Sequence, residues 1–310
     1  MRPTLRQLQY FLAIAETKRF GEAARQLNVS QSALSAQIVE MEASLGITLF
    51  ERGRHGALLT PVGQELVPRA RVILREVEEL KTLARQSGSE LSGRVHLGVL
   101  PSIGPYLLPI AARQLHQNYP DLRLVVREER TSDLEEGLQT GRLDTIISTA
   151  REHRDVVSIP LFREELWICS APDDPLSQSD APVSLSEIRD RPLLSLGQGH
   201  KLSDIVRAIA NEAGAYISSE YEGTSLDAAR QMAVMGAGIA LLPSLYAFSE
   251  ARRDPDFIVR RLDHPSAVRE IAICWRQASP LAESYQVLAD ELSLTAQLIL
   301  SRPESRPSGT

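Results

Sequence analysis

The chain has 310 residues, 43% hydrophobic and 24% charged, which is typical of a water-soluble protein with about two domains. No run approaches the ~18 apolar residues of a membrane span. The N-terminus also lacks a signal peptide's apolar segment, so we expect a cytoplasmic protein without a membrane partner. The net charge of −6 is unfavourable for nucleic-acid binding, but residues 1–90 contain 12 Lys or Arg against 10 Asp or Glu. A weakly basic head on an acidic body permits a local contact with DNA.

The first 60 residues predict three short helices followed by a β-hairpin. Apolar side chains recur at helical spacing from Leu5 to Ala15, from Ala23 to Leu27 and from Leu34 to Leu45. Ser30 is a suitable N-cap for the third helix, and Gly46 can end that helix in the left-handed conformation. The turn-rich segment 49–60 then reads as a small wing.

Polar side chains occupy the exposed N-terminal turns of the third helix, at Gln31, Ser32, Ser35 and Gln37. Short polar groups at these positions are what a recognition helix needs in order to reach base edges in the major groove. In the wing, Arg52 and Arg54 are suited to phosphate contacts. The alternative interpretation is a solvated polar face on a small helical domain.

A long helix is predicted after Thr60, which can cap it, with Pro61 at its first position. Its apolar stripe follows four-three spacing over about three heptads and consists of Leu66, Ala70, Ile73, Val77 and Leu80. Such a stripe favours pairing with the same helix of a second chain. Packing against the chain's own domain is the alternative. The run Ser87-Gly88-Ser89 then reads as a hinge.

From Arg94 onward, short apolar strands alternate with helices, which predicts an α/β sheet covered by helices. Ligands of such sheets bind beyond the carboxyl ends of the strands, next to helix N-termini. We find no nucleophile elbow and no metal-binding histidine pattern, so we expect neither an enzyme nor a cofactor. Cys169 and Cys274 are far apart and predict no disulfide scaffold.

Residues 20–63 resemble the DNA-binding segment of LysR-type transcriptional regulators. The matching positions are spaced as in that family and are Ala23, Ala24, Leu27, Ser30, Gln31, Ala33, Leu34, Ser35, Ile38, Met41, Glu42, Leu45, Gly46, Leu49, Phe50, Arg52, Leu59, Thr60, Pro61 and Gly63. Ser32 and Ala36 depart from the family's usual residues, and Gly53 and Gly56 make the wing less basic than usual.

The resemblance implies a winged helix-turn-helix over residues 1–60, a dimerising linker helix and hinge over 61–91, and an effector-binding domain over 92–301. That domain would resemble periplasmic binding proteins, with lobe I at 92–163 and 269–301 and lobe II at 164–268. The crossovers would lie near Phe162–Glu165 and His264–Glu270, and residues 302–310 would form a disordered tail. Expected partners are promoter DNA, a small-molecule effector and copies of the same chain in a homodimer or homotetramer, with RNA polymerase as a further candidate.

Three segments of the effector domain, residues 104–120, 196–206 and 224–243, resemble the peroxide-sensing, OxyR-like branch of the family. In that branch, reactive cysteines stand where this chain has Lys201 and Ala210. A thiolate is required to attack peroxide, so the resemblance does not carry the sensing chemistry to this chain. A redox switch that uses Cys169 or Cys274 stays an alternative, as does a solute-binding protein.

Several polar residues precede or open the predicted helices of this domain, and a two-lobed fold would gather them in the cleft between the lobes. They are Ser102, Thr131, Gly199, His200, Lys201, Thr224 and Ser225. Free backbone N–H groups and helix dipoles favour an anion there. The sequence therefore predicts a small organic anion as effector, with Lys201 pairing with it.

Overall fold

The computed structural model describes residues 3–53, 56–85, 91–149, 156–197, 199–223, 225–253 and 259–301. The expected tail at 302–310 and the expected hinge at 87–89 lie outside these ranges. The chain divides into two compact units. The N-terminal unit comprises the described residues up to 85 together with 139–142, and the C-terminal unit comprises the described residues 91–138 and 143–301.

The N-terminal unit has the predicted three helices, hairpin and long helix. Its elements are α1 (Leu5–Thr17), α2 (Phe20–Gln26), α3 (Gln31–Leu45), β1 (Phe50–Gly53), β2 (Gly56–Leu59) and α4 (Pro61–Arg85). The Ser30 hydroxyl accepts a hydrogen bond from the Ala33 amide, so it caps α3 as predicted. Gly46 follows α3 with a φ of 69°, a left-handed conformation that suits glycine.

Helices α1 to α3 bury one shared core. Phe11, Ile14, Leu34 and Ile38 are fully buried in it. Phe50, on the hairpin, packs its ring against Phe11 at 5.6 Å between ring centres, which joins the wing to the helices. Each such large apolar side chain contributes ~1.5–3 kcal/mol by its removal from water. The polar N-terminal turns of α3 are thereby held on the opposite side of this helix.

The stripe predicted on α4 divides between two environments. Ala70 is 3% exposed and belongs to the core of the N-terminal unit, and Leu66 packs against the same core. Ala70 is therefore covered by its own chain and Leu66 partly so, and the dimer contact expected of both stays a prediction. Ile73 is 46% exposed and Leu80 is 66% exposed, while Val77 is half-buried. The C-terminal part of the stripe is the more exposed part and offers most of the surface for a partner.

The C-terminal unit is an α/β structure, as predicted. Its strands are β3 (Gly93–Val99), β4 (Leu122–Glu128), β5 (Thr145–Thr149), β6 (Val156–Cys169), β7 (Pro192–Leu196), β8 (Tyr216–Gly223), β9 (Ile239–Pro243), β10 (Arg260–Arg261) and β11 (Val268–Arg276). Its α-helices are α5 (Gly104–Asn118), α6 (Thr131–Gln139), α7 (Lys201–Ala213), α8 (Leu226–Val234), α9 (Ser244–Arg253) and α10 (Ala282–Leu300).

The strands lie in the order β4-β3-β5-β11-β6-β9-β7-β8, and β10 pairs with β6. The long strand β6 joins the two halves of this sheet. Up to Glu165 it pairs with β11, and from Leu166 it pairs with β9. β3, β4 and β5 run parallel in one half, and β7, β8 and β9 run parallel in the other. Strands β3 and β4 in one half, and β7, β8 and β9 in the other, are each followed by a helix.

Candidate nucleic-acid interface and effector pocket

The exposed face of α3 is the candidate nucleic-acid interface. Gln31 and Ser32 are exposed, whereas Ser35 and Gln37 are only half-exposed. The Gln37 side-chain amide donates a hydrogen bond to Glu40 at 3.0 Å. The helical turn therefore places Ser32 near the centre of the exposed face, and Ser35 and Gln37 at its edges.

Two apolar residues share this exposed face and escaped the sequence analysis. Ala36 is exposed, and Val39 has 50% of its surface exposed. Apolar side chains on a recognition helix can contact the methyl group of thymine. The signal in the sequence is that Ser32, Ala36 and Val39 recur at four- and three-residue spacing opposite the buried stripe.

The predicted phosphate contacts lie in the wing. Arg52 lies in β1 and pairs with Ala57 across the hairpin. Arg54 lies outside the described residues. Both remain predicted phosphate contacts.

A cavity of about 230 Å³ lies in the C-terminal unit, between the two halves of the sheet. This volume is below the ~300–1,000 Å³ of sites for drug-sized ligands and suits a smaller molecule. The structure brings together in it five of the predicted effector residues: Ser102, Thr131, His200, Lys201 and Ser225. They precede or open helices α5, α6, α7 and α8. Gly199 is absent from the lining and lies beside Arg130, and Thr224 is outside the described residues.

An ion pair lies at the wall of this pocket. Arg269, on β11, donates a hydrogen bond from Nε to the Glu164 carboxylate on β6, and both side chains are almost fully buried. Its Nη2 donates to the Ser102 hydroxyl at 2.7 Å. Ser102 is therefore already bound to a protein group and orients Arg269, which lines the pocket. Sequence reasoning missed Arg269 because residues 105 positions apart meet only through the pairing of β6 with β11.

Two polar atoms of the lining are buried without a hydrogen-bond partner among the described residues. They are the Thr131 hydroxyl and the Nε2 atom of His200. Burial, and then the charge of Arg130, lower the pKa of His200, so its ring is neutral at neutral pH. A buried polar atom without a partner costs free energy, and a ligand could satisfy both atoms.

Lys201 opens α7 and lines the pocket. Its ammonium lies 3.6 Å from Asp204 on the same helix, and both side chains are substantially exposed. Exposed pairs of this kind contribute only ~0–1 kcal/mol, so a ligand can compete for the ammonium. The Ser225 hydroxyl accepts a long hydrogen bond of 3.5 Å from the Ala228 amide and caps α8.

The pocket also contains two acidic side chains that the sequence analysis did not select, Glu128 and Asp227. Asp227 accepts a hydrogen bond from the Tyr246 hydroxyl at 2.8 Å. Burial raises the pKa of Tyr246, so this phenol stays protonated and continues to donate. The ring of Tyr246 in turn packs edge-on against Tyr106 at 5.2 Å, another side chain of the pocket wall.

Both cysteines are buried and reduced. Burial raises the pKa of Cys169 to about 12 and also raises the pKa of Cys274. A buried thiol with a raised pKa is mostly protonated at neutral pH, and the thiol form is a poor nucleophile. These environments do not favour a redox switch at either residue.

Within the described ranges, no helix is long and apolar enough to cross a membrane. The same part of the chain contains no group of three His, Cys, Asp or Glu side chains placed to hold a metal ion.

Two family models match the chain. The model described as "Bacterial regulatory helix-turn-helix protein, lysR family" covers residues 5–64, and the one described as "LysR substrate binding domain" covers residues 88–296. The chain therefore belongs to the LysR family of DNA-binding transcriptional regulators. Its N-terminal unit is the DNA-binding helix-turn-helix domain, and its C-terminal unit is the effector-binding domain.

Within this family the chain is similar to regulators of the OxyR branch, as the sequence predicted. It is 37% identical over 289 residues to the DNA-binding transcriptional dual regulator OxyR of Escherichia coli K12, which covers 93% of this chain and 94% of the relative. A full-length OxyR variant from Pseudomonas aeruginosa has a TM-score of 0.75 at 33% identity and covers 94% of this chain and 98% of its own. An H2O2-bound OxyR mutant from Corynebacterium glutamicum has a TM-score of 0.66 at 30% identity. The match covers 97% of this chain and 94% of the mutant's chain.

Proposed function

We propose that this LysR-family regulator changes its promoter binding when a small organic anion occupies the pocket of the C-terminal unit. The observation that supports it is the meeting of four helix starts with Arg269 and Lys201 around one cavity. Unpartnered polar atoms of Thr131 and His200 add hydrogen-bonding capacity there. Binding that favours one arrangement of the two sheet halves would shift the population of that arrangement.

The proposed signal is the binding of an anion and not the oxidation of a thiol. The chain has two cysteines in all, and neither follows Gly199-His200, where Lys201 stands. Cys169 and Cys274 are both buried, with raised pKa values. The remaining features follow the family: we infer a cytoplasmic homodimer or homotetramer that binds promoter DNA and contacts RNA polymerase, without enzymatic activity of its own.

Replacing Lys201 with alanine is expected to weaken effector binding at least ~10-fold, because a charge-assisted hydrogen bond to the anion is lost. Calorimetry with a panel of carboxylates and phosphorylated metabolites measures this, and a promoter reporter measures the response. Unliganded DNA binding should stay unchanged.

Arg207→Ala is the matched control, because Arg207 is exposed on the same helix and does not line the pocket. A panel without any binder, together with normal regulation by the Lys201→Ala protein in cells, would contradict the proposal.

Substitutions on α3 and in the wing are expected to separate sequence recognition from general affinity. Val39→Ser should change the base preference, since it removes an exposed apolar contact at the centre of the α3 face. Arg52→Ala should weaken binding to all sequences alike and reduce the salt slope by about 1, because one phosphate contact is lost. Fluorescence anisotropy with a promoter library at several salt concentrations measures both. The assignment of this face to DNA is wrong if neither variant changes affinity, preference or salt slope.

A further inference from the structure

Charges of both signs surround the pocket, which bears on the kind of anion that it can accept. Three of the helices that start there have an aspartate in the first turn: Asp133 in α6, Asp204 in α7 and Asp227 in α8. At the fourth helix, α5, a carboxylate oxygen of Glu128 lies 2.8 Å from the position that a Cβ atom on Gly104 would occupy. The partial positive charge of each helix start is thus already matched by a carboxylate.

The charged side chains of the lining have both signs. Glu128 and Asp227 are acidic, Lys201 and Arg269 are basic, and the lowered pKa of His200 keeps its ring neutral. A ligand with only negative charge would be attracted by the two cations and repelled by the two carboxylates. A ligand with one charge of each sign could pair with both kinds of group.

The two acidic side chains differ in their hydrogen-bond partners. Asp227 accepts the Tyr246 hydroxyl hydrogen bond. The Glu128 carboxylate has no hydrogen bond or ion pair with any described residue, although it lies close to Gly104 and lines the cavity. It is therefore the available acceptor for a cationic group of a ligand.

Arg269 provides a corresponding donor. Its Nε and Nη2 atoms are bound to Glu164 and Ser102, which fixes the plane of the guanidinium. Its Nη1 atom has no acceptor among the described residues. An anchored guanidinium with a free N–H group is suited to a carboxylate.

We propose that the effector is a small zwitterion, with an ammonium group that binds Glu128 and a carboxylate that binds Arg269 and Lys201. This inference rests on the proposed function, since it concerns the same pocket. Glu128 is then the residue that determines specificity for amino-bearing ligands. A site that hydrogen-bonds a ligand N–H rejects an analogue without it, because the acceptor stays unpaired.

Calorimetry on the full chain with matched acids tests this proposal. The pairs are alanine with propionate, 4-aminobutyrate with butyrate, and glutamate with glutarate, in which the two members differ by the amino group. In the wild-type protein, the amino-bearing member of at least one pair should bind roughly 10- to 100-fold more tightly, as expected for one charge-assisted hydrogen bond.

Glu128→Gln should abolish this difference, because the amide is neutral while its size is unchanged. Glu283→Gln, in the exposed first turn of α10, should keep it. Thermal unfolding of both variants checks that the fold is intact. Equal binding of both members of every pair, or an unchanged preference in Glu128→Gln, would overturn the zwitterion and leave a carboxylate site standing. If no carboxylate of either kind binds, the proposed function fails as well.

Discussion

Replacing both Ile73 and Val77 with aspartate is expected to convert the protein into a monomer that binds promoter DNA about 10²- to 10⁴-fold more weakly. Ile73 is 46% exposed on α4, Val77 is half-buried, and Leu80 is 66% exposed. Burying two carboxylates in an apolar helix pair costs more than the pair gains. A monomer also loses the effective concentration that a second linked DNA-binding domain provides.

Analytical sedimentation and DNA binding measure the two effects. Met235→Asp is the matched control, because it places the same charge on a side chain that is 81% exposed in the C-terminal unit. The thermal midpoint of the double variant should stay near that of the wild type, since neither residue belongs to the N-terminal core. An intact dimer that binds DNA normally would place the interface elsewhere.

Replacing Arg269 with methionine is expected to destabilise the C-terminal unit by ~3–5 kcal/mol, because it leaves Glu164 buried without its partner. Burial raises the pKa of Glu164 in the wild type, and Arg269 opposes that rise. Without Arg269, the pKa of Glu164 should rise further.

This pKa change makes the loss of stability depend on pH. A buried acid with a raised folded-state pKa is protonated and uncharged at low pH. Its burial then causes no loss in the free energy of unfolding. The penalty grows as pH rises above the unfolded value of ~4.3 and is complete above the folded pKa. Denaturant unfolding should therefore show a larger deficit for Arg269→Met at pH 8 than at pH 5.5.

Two further variants make the result specific. Adding Glu164→Gln should recover part of the lost stability, because the buried charge is removed. Arg113→Met, on the exposed face of α5, should change stability by less than ~0.5 kcal/mol. A deficit of Arg269→Met that is small and independent of pH would show that Glu164 is not held as a buried ion.

The DNA-binding domain could be predicted closely because its signals are local. The stripe Leu34, Ile38 and Met41 defines the buried side of α3, and Ser30 and Gly46 mark its ends within one turn. The same kind of periodicity could not show which residues of the α4 stripe are buried in their own chain and which are exposed. Ala70 contacts its own core and Leu80 does not, and both positions satisfy the same heptad spacing.

Strand β8 and helix α9 of the C-terminal unit were not predicted, for physical reasons. Strand β8 lies at the edge of the sheet, so its polar sequence lacks the apolar alternation of a half-buried strand. Helix α9 begins directly after β9, without a loop to mark its start.

The pocket was predictable only in part. The helix starts near Thr131, Lys201 and Ser225 follow from strand–helix alternation, and these residues lie in the lining. Glu128 and Arg269 could not be selected, because their role depends on which strands become neighbours. Local pattern contains no information on the pairing of β6 with β11, and that pairing is what places Arg269 beside Glu164.

The close approach of Gly104 to Glu128 has an evolutionary consequence. A Cβ atom at position 104 would lie 2.8 Å from the Glu128 carboxylate and equally close to the Val99 side chain. Alanine at this position would therefore displace the Glu128 carboxylate and the Val99 side chain, and we expect it to weaken the preference for amino-bearing ligands without a change at position 128. Among descendants of this regulator, glycine at 104 and glutamate at 128 should be inherited together.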